Sequence, residues 1–143
     1  MNTEQVLHEL HTLRGRVPFV TGCLVATSDG FLIACDLPPG LEPDGMAALT
    51  ATELSLSDRV ARTVHEGDLE EVVIRSIGGH VAIYAAGPHA ALAVLAGPEV
   101  SLGRLHLEAR PAARAIAVHL PVLAARPRNE EVTCPTPTRR SKR

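Results

Sequence analysis

Tryptophan is absent from the 143 residues, and Phe19, Phe31 and Tyr84 are the only aromatic side chains. So few rings remove the stacking platform on which single-stranded nucleic acids are held. Lysine occurs once, as Lys142, so residues 1–125 offer no amine for a Schiff base or for gripping a nucleotide phosphate. No apolar run approaches the roughly 18 residues of a membrane span. The opening MNTEQVLHEL lacks the basic start and apolar stretch of an export signal. These absences read as a soluble cytoplasmic chain with no integral membrane segment. Cys23, Cys35 and Cys134 make an odd count without CxxC spacing, the usage of a reduced compartment. Cys23 and Cys35 are expected to be buried thiols acting as small hydrophobes.

The formal net charge of −2 is unevenly spread. Residues 1–125 carry 14 carboxylates against 8 arginines, whereas residues 126–143 carry 6 basic residues against 2 glutamates. An acidic body is the wrong electrostatic footprint for nucleic acid. The tail RPRNEEVTCPTPTRRSKR is rich in proline and charge with little to bury, and reads as a disordered basic segment following one folded domain, residues 1–125. Its basic residues leave docking on an acidic partner or an anionic lipid open.

Hydrophobic period and turn residues divide the domain into eight elements. Thr3 reads as the cap of a first helix carrying Val6, Leu7, Leu10 and Leu13 on one stripe. Two strands follow, 20–28 and 31–36, joined at Asp29-Gly30. A two-residue turn pairs Ser28 with Phe31 and sets Cys35 opposite Leu24; a three-residue loop pairs Thr27 with Phe31 and sets Cys23 opposite Cys35. Asp44 reads as the N-cap of a long helix to about Glu66, with Met46, Leu49, Leu56, Val60 and Val64 on one face. The adjacent face is small, Ala47, Ala48, Ala51 and Ala61 broken by Leu54, and would admit another backbone closely. Glu53 interrupts the apolar stripe, at a cost if it pointed into a core. Three strands, 69–77, 80–87 and 90–97, form a meander. The first alternates as an edge strand does, and the last has no polar residue and belongs in the sheet centre. A final helix from Ser101 carries Pro111, which predicts a kink near 107–111 or two shorter helices.

No constellation of catalytic groups stands out. His8 and His11 share an i, i+3 spacing, but two ligands do not make a metal site. Glu70 and Glu71 are adjacent on a strand, so they face opposite ways and read as solvated. GxSxG, GxxxxGK and GxGxxG are absent, and Ser55 and Ser57 have no neighbouring base. The expectation is a protein that is not an enzyme and needs no cofactor or metal.

The order α-β-β-α-β-β-β-α predicts an α+β fold: a five-stranded antiparallel sheet with the first and last helices on one face and the long middle helix on the other. One helix is narrow cover for half a sheet, so a second copy of it, packed through the alanine face, would complete the layer.

SDGFLIACDL, MAALTATELSLSDRVAR, GPHAALAVLAGPEVSLG and LHLEARPAARAIAVHL together resemble the Roadblock family of dynein light chains and bacterial GTPase regulators. The likeness covers about residues 5–120 and is nearest the actinobacterial branch, whose genes often adjoin a Ras-like GTPase and a sensor kinase. Pro111, Glu53 and the basic tail depart from the family pattern. The resemblance implies a profilin-like fold and a noncatalytic homodimer joined through the strand 69–77 and its long helices, which it offers to a small GTPase to alter hydrolysis or exchange. On that basis Ala47, Ala51, Leu54, Ala61, Val73 and Arg75 are the candidate dimer interface, and Arg59 and Arg62 the candidate GTPase contacts. A neighbouring sensor kinase is a further partner that the resemblance allows. The rival expectation is a small-molecule sensor of the same helix-sheet-helix architecture, which requires a pocket with convergent polar groups.

Overall fold

The computed structural model describes residues 2–120. The elements run α1 (Thr3–Arg16), β1 (Val20–Thr27), β2 (Leu32–Asp36), α2 (Pro43–Val64), β3 (Glu71–Ser76), β4 (Gly79–Ala85), β5 (Ala90–Ala96) and α3 (Leu102–Val118). All strands pair antiparallel in the order β2-β1-β5-β4-β3. The apolar β5 is therefore central and β3 is an edge, as expected. Residues 121–143, including the segment read as a disordered basic tail, lie outside the described residues.

The β1–β2 hairpin uses both of the registers that its sequence allows. At the loop, Thr27 N donates to Phe31 O (2.8 Å) and Phe31 N to Thr27 Oγ1 (3.0 Å), so Ser28, Asp29 and Gly30 form a three-residue loop. Gly30 takes φ +92°, the left-handed position that such loops reserve for glycine. The pairing then slips: Ala26 faces Leu32, but Val25 faces Ala34 and Leu24 faces Cys35. Ile33 is the extra residue of a β-bulge. Because of it Ile33 and Ala34 both join the core on the α1/α3 side, while Leu32 and Cys35 join the α2 side. This local shift explains how three consecutive apolar residues, Leu32, Ile33 and Ala34, are placed in one short strand, while Phe31 stays in the exposed loop. Cys23 and Cys35 face opposite sides of the sheet, which rules out a bond between them. Cys23 is free, and burial pushes its thiol up to about 12. Cys35 departs from the expected thiol, being disulfide-bonded.

The larger core lies under α1 and α3. Val6, Leu10 and Leu13 from α1 and Leu105, Ala109, Ala112, Ala113 and Ile116 from α3 close over Cys23, Val25, Leu92, Val94 and Tyr84. Helix capping shifts slightly from expectation. Asn2, not Thr3, caps α1 by accepting from Gln5 N (3.4 Å). Glu42, not Asp44, caps α2, accepting from Asp44 N (3.0 Å) and Gly45 N (2.6 Å), with Pro43 at the first turn where its missing N–H is harmless.

Pro111 does not divide the last helix: α3 is one element from Leu102 to Val118. The carbonyl that Pro111 deprives of a partner belongs to Leu107, and both residues lie on the solvent side. Water can satisfy it there, so the helix continues.

Candidate functional site

Among the described residues the second face of the sheet is covered by α2 alone, and with the reverse of the expected orientation. Ala47, Thr50 and Ala51 are the buried residues of this helix, with Met46 and Leu54 half-buried beside them over Leu24, Leu32, Ile83, Ala91 and Ala93. The small face is what meets the sheet of its own chain. The loop glycine packs against the same helix, where a Cβ on Gly30 would meet Ala48 Cα at 3.4 Å, an ordinary contact distance. Ala47 and Ala51 are thus spent inside the molecule, which corrects their assignment as a surface for a second copy. Leu54 and Ala61 are half-buried on the same side.

The leucine-valine stripe points outward instead. Leu49, Leu56, Val60 and Val64 are 55–69% exposed, and Glu53 lies among them, half-buried rather than inside a core. Their spacing keeps all four on one side of a 22-residue helix. A row of four large aliphatic side chains in water is too contiguous to be scattered surface hydrophobes. Sequence periodicity found the stripe but could not say which of two apolar faces meets the sheet; the bulk of the β-strand side chains beneath decided it.

Beside α2 the sheet ends at β3, whose pairing within the described residues is to β4 alone. Val72 and Ile74 lie on the α2 side of β3, opposite Ile83 and Val81, and Ile74 is 40% exposed. Val73 lies on the other side and packs, half-buried, against the α1/α3 core. Arg75 shares that side, opposite His80, and is exposed.

Arg59 and Arg62 separate in role. Arg62 donates to Asp58 Oδ2 (2.7 Å) and to Asp68, while Asp58 Oδ1 accepts from Leu69 N (3.1 Å). The group latches the end of α2 to the segment that enters β3. Leu69 N and Arg62 hold the Asp58 carboxyl below its ordinary range. Arg59 is exposed and lines an open groove of about 410 Å³ with Ser28, Asp29, Gly30, Thr52 and Ser55. A second groove of about 550 Å³ runs between α2 and the β4–β5 turn, lined by Leu54, Asp58, Arg62, Asp68, Leu69 and Pro88 among others. Its charged groups are already bonded to one another, so they do not converge on a ligand.

One polar cluster escaped the sequence reading. Glu71, expected to be solvated, accepts two hydrogen bonds from Arg110, from Nε at 2.7 Å and Nη2 at 2.8 Å. His106 Nδ1 lies 3.3 Å from the same carboxylate and 2.7 Å from the buried Tyr84 Oη. The Arg110 bonds hold Glu71 below the usual carboxylate range, and burial pushes the Tyr84 phenol up. The cluster ties the start of β3 to α3. The i, i+4 pair His106 and Arg110 was its only local signal. Among the described residues no group of three or more His, Cys, Asp or Glu could hold a metal ion.

Comparison with known proteins places this geometry. The Roadblock/LC7 domain family matches residues 6–96, from α1 through β5. The crystal structure of a Roadblock/LC7 domain from Streptomyces avermitilis superposes with a TM-score of 0.73 at 28% identity, covering 80% of this chain and 96% of that one. The gliding protein MglB from Thermus thermophilus gives 0.72 at 21% identity, over 81% of this chain and 88% of that one. Profilin IA of Acanthamoeba castellanii, at 13% identity, shares the fold with a TM-score of 0.53, covering 83% and 98%. The chain belongs to the Roadblock/LC7 domain family.

Proposed function

We propose that the chain is a noncatalytic homodimeric module that binds and regulates a small Ras-like GTPase. The observation that carries the reading is the exposed stripe Leu49, Leu56, Val60 and Val64 beside the unpaired edge of β3. An isologous pair sets two such stripes against each other and extends both sheets through β3, removing the apolar side chains and the open edge from water together. The dimer surface is accordingly Leu56 and Val60 with the β3 backbone, Arg75 flanking the strand, in place of Ala47 and Ala51. Two further supports come from relatives: the family resemblance implies GTPase regulation, and one structure similar in fold is described as MglB with a tetrameric arrangement.

Arg59 is the GTPase contact in this reading, being exposed beside a groove and free of any ion pair among the described residues. Arg62 acts indirectly, through its latch on the segment leading to β3. With no catalytic constellation among the described residues, the module acts in this reading by holding the switch loops of its partner in one arrangement.

Size exclusion with light scattering tests the first part: the full chain runs as a dimer and Leu56→Glu as a monomer. Binding to the Ras-like GTPase encoded nearest its gene tests the second. Arg59→Ala weakens it by roughly tenfold, the scale of one charge-assisted contact. A wild-type monomer at high concentration, or unchanged GTPase affinity in Arg59→Ala, overturns the corresponding part.

A further inference from the structure

The opposite side of the molecule carries a different pattern. Arginines outnumber glutamates five to three in α1 and α3, whereas the rest of residues 1–125 holds three arginines against eleven carboxylates. The exposed side of α3 sharpens this contrast. It presents Arg104, Leu107, Arg110, Pro111, Arg114 and Val118, with no exposed carboxylate. The one acid of the helix, Glu108, is half-buried with Arg16 Nη1 3.6 Å away. Arg110 is offset by Glu71, but Arg114 makes no ion pair among the described residues. Leu107 and Val118 are 72% and 78% exposed. They lie eleven residues apart on one side, about 16 Å along the axis.

From this face we infer that α3 is a peripheral docking surface for an anionic lipid bilayer. A helix back lined by aliphatic tips and guanidinium groups matches a plane whose surface is negative and whose depth is apolar. Tips as exposed as Leu107 and Val118 suit a deformable plane better than a protein side chain seeking a pocket. Charge complementarity also fixes the orientation: on this side Glu71 is taken up by Arg110 and Asp36 by Arg14, whereas the carboxylates of α2, Asp44, Glu53 and Asp58, lie across the sheet. Six further basic residues follow α3 in the sequence between 126 and 143, each worth roughly fivefold in partitioning near such a surface. Two aliphatic anchors with a few cations make a weak, reversible, salt-sensitive attachment. No described helix is long and apolar enough to cross the bilayer. The surface stands apart from α2 and does not depend on the GTPase reading.

The absence of tryptophan supplies the test: Leu107→Trp introduces a single reporter on the docking face of the full chain. Its emission shifts to the blue with phosphatidylglycerol/phosphatidylcholine vesicles, not with phosphatidylcholine alone, and returns in high salt. Arg114→Glu weakens vesicle co-sedimentation on the order of tenfold, two charges being changed. Leu107→Glu weakens it too, and where that variant fails to fold the tryptophan reporter still decides. No shift with anionic vesicles at low salt overturns the inference. So does binding that survives Arg114→Glu but is lost in Arg139→Glu/Arg140→Glu, since the tail then acts alone. Stronger displacement of the reporter signal by polyglutamate than by lipid assigns the face to an acidic protein and overturns it equally.

Discussion

At the scale of single residues, Phe19 is the one non-glycine residue at positive φ among the described residues. It sits at φ +72°, a conformation that costs an ordinary side chain about 1–2 kcal/mol, and it is 55% exposed, so little burial offsets the cost. Asparagine tolerates this region better. Phe19→Asn is expected to stabilise the fold by about 1 kcal/mol, read as a thermal midpoint a few degrees higher; Phe19→Val, with a branched Cβ at positive φ, lowers it. Glu71 gives a prediction in pH. Its folded-state pKa is depressed, chiefly by the Arg110 hydrogen bonds, so its contribution is present above the unfolded carboxylate range and disappears as pH falls through the folded value. Glu71→Gln therefore melts lower than the wild type at neutral pH. The gap closes in acid, and a constant gap across that window would mean that the pair contributes nothing through charge.

At the scale of elements, most of what was legible came from period and turn chemistry. The eight elements, the central place of β5 and the edge place of β3 all follow from which strands alternate and where glycine and proline fall. The facing of α2 did not follow, because a helix apolar on two sides reads the same whether the larger or the smaller residues meet the sheet. Only the depth left above Leu24, Ile83 and Ala93 selects alanine. The bulge at Ile33 was hidden for a related reason: each register was locally sound, and the strand uses one at each end. Capping was missed by a residue or two because asparagine and glutamate side chains reach over the first turn from just outside it. Pro111 predicts a kink or a division of α3, and the undivided helix makes a prediction. The helix runs on with the Leu107 carbonyl open to water, so Pro111→Ala returns a hydrogen bond and removes a ring clash without disturbing the buried side. A gain of about 1–3 kcal/mol is expected in denaturant unfolding with an unchanged slope.

At the scale of the whole molecule, the sheet separates two surfaces of different character. The α2 side is apolar along one stripe and open at β3, which suits a second copy and a protein partner; the α1/α3 side is sealed, with a basic outer helix. If two copies join antiparallel through β3, their two-fold axis runs perpendicular to the sheet, and such an axis leaves equivalent faces on the same side. Both α3 helices then look one way and both α2 helices the other. A membrane bound by one face would leave the paired α2 helices turned away from the lipid, where a GTPase can reach them. The arrangement also makes lipid attachment bivalent. Each weak contact raises the effective concentration of the other, so the pair should hold a vesicle more tightly than a single copy by one or two orders of magnitude. Leu56→Glu provides the comparison, since it abolishes pairing through α2 and leaves every residue of α3 in place. Its vesicle affinity is expected to fall at least tenfold below the wild type while keeping the same salt dependence per copy. An equal affinity in a confirmed monomer would show that the two copies do not present their α3 helices to one plane, and would redirect the pairing away from the β3 edge.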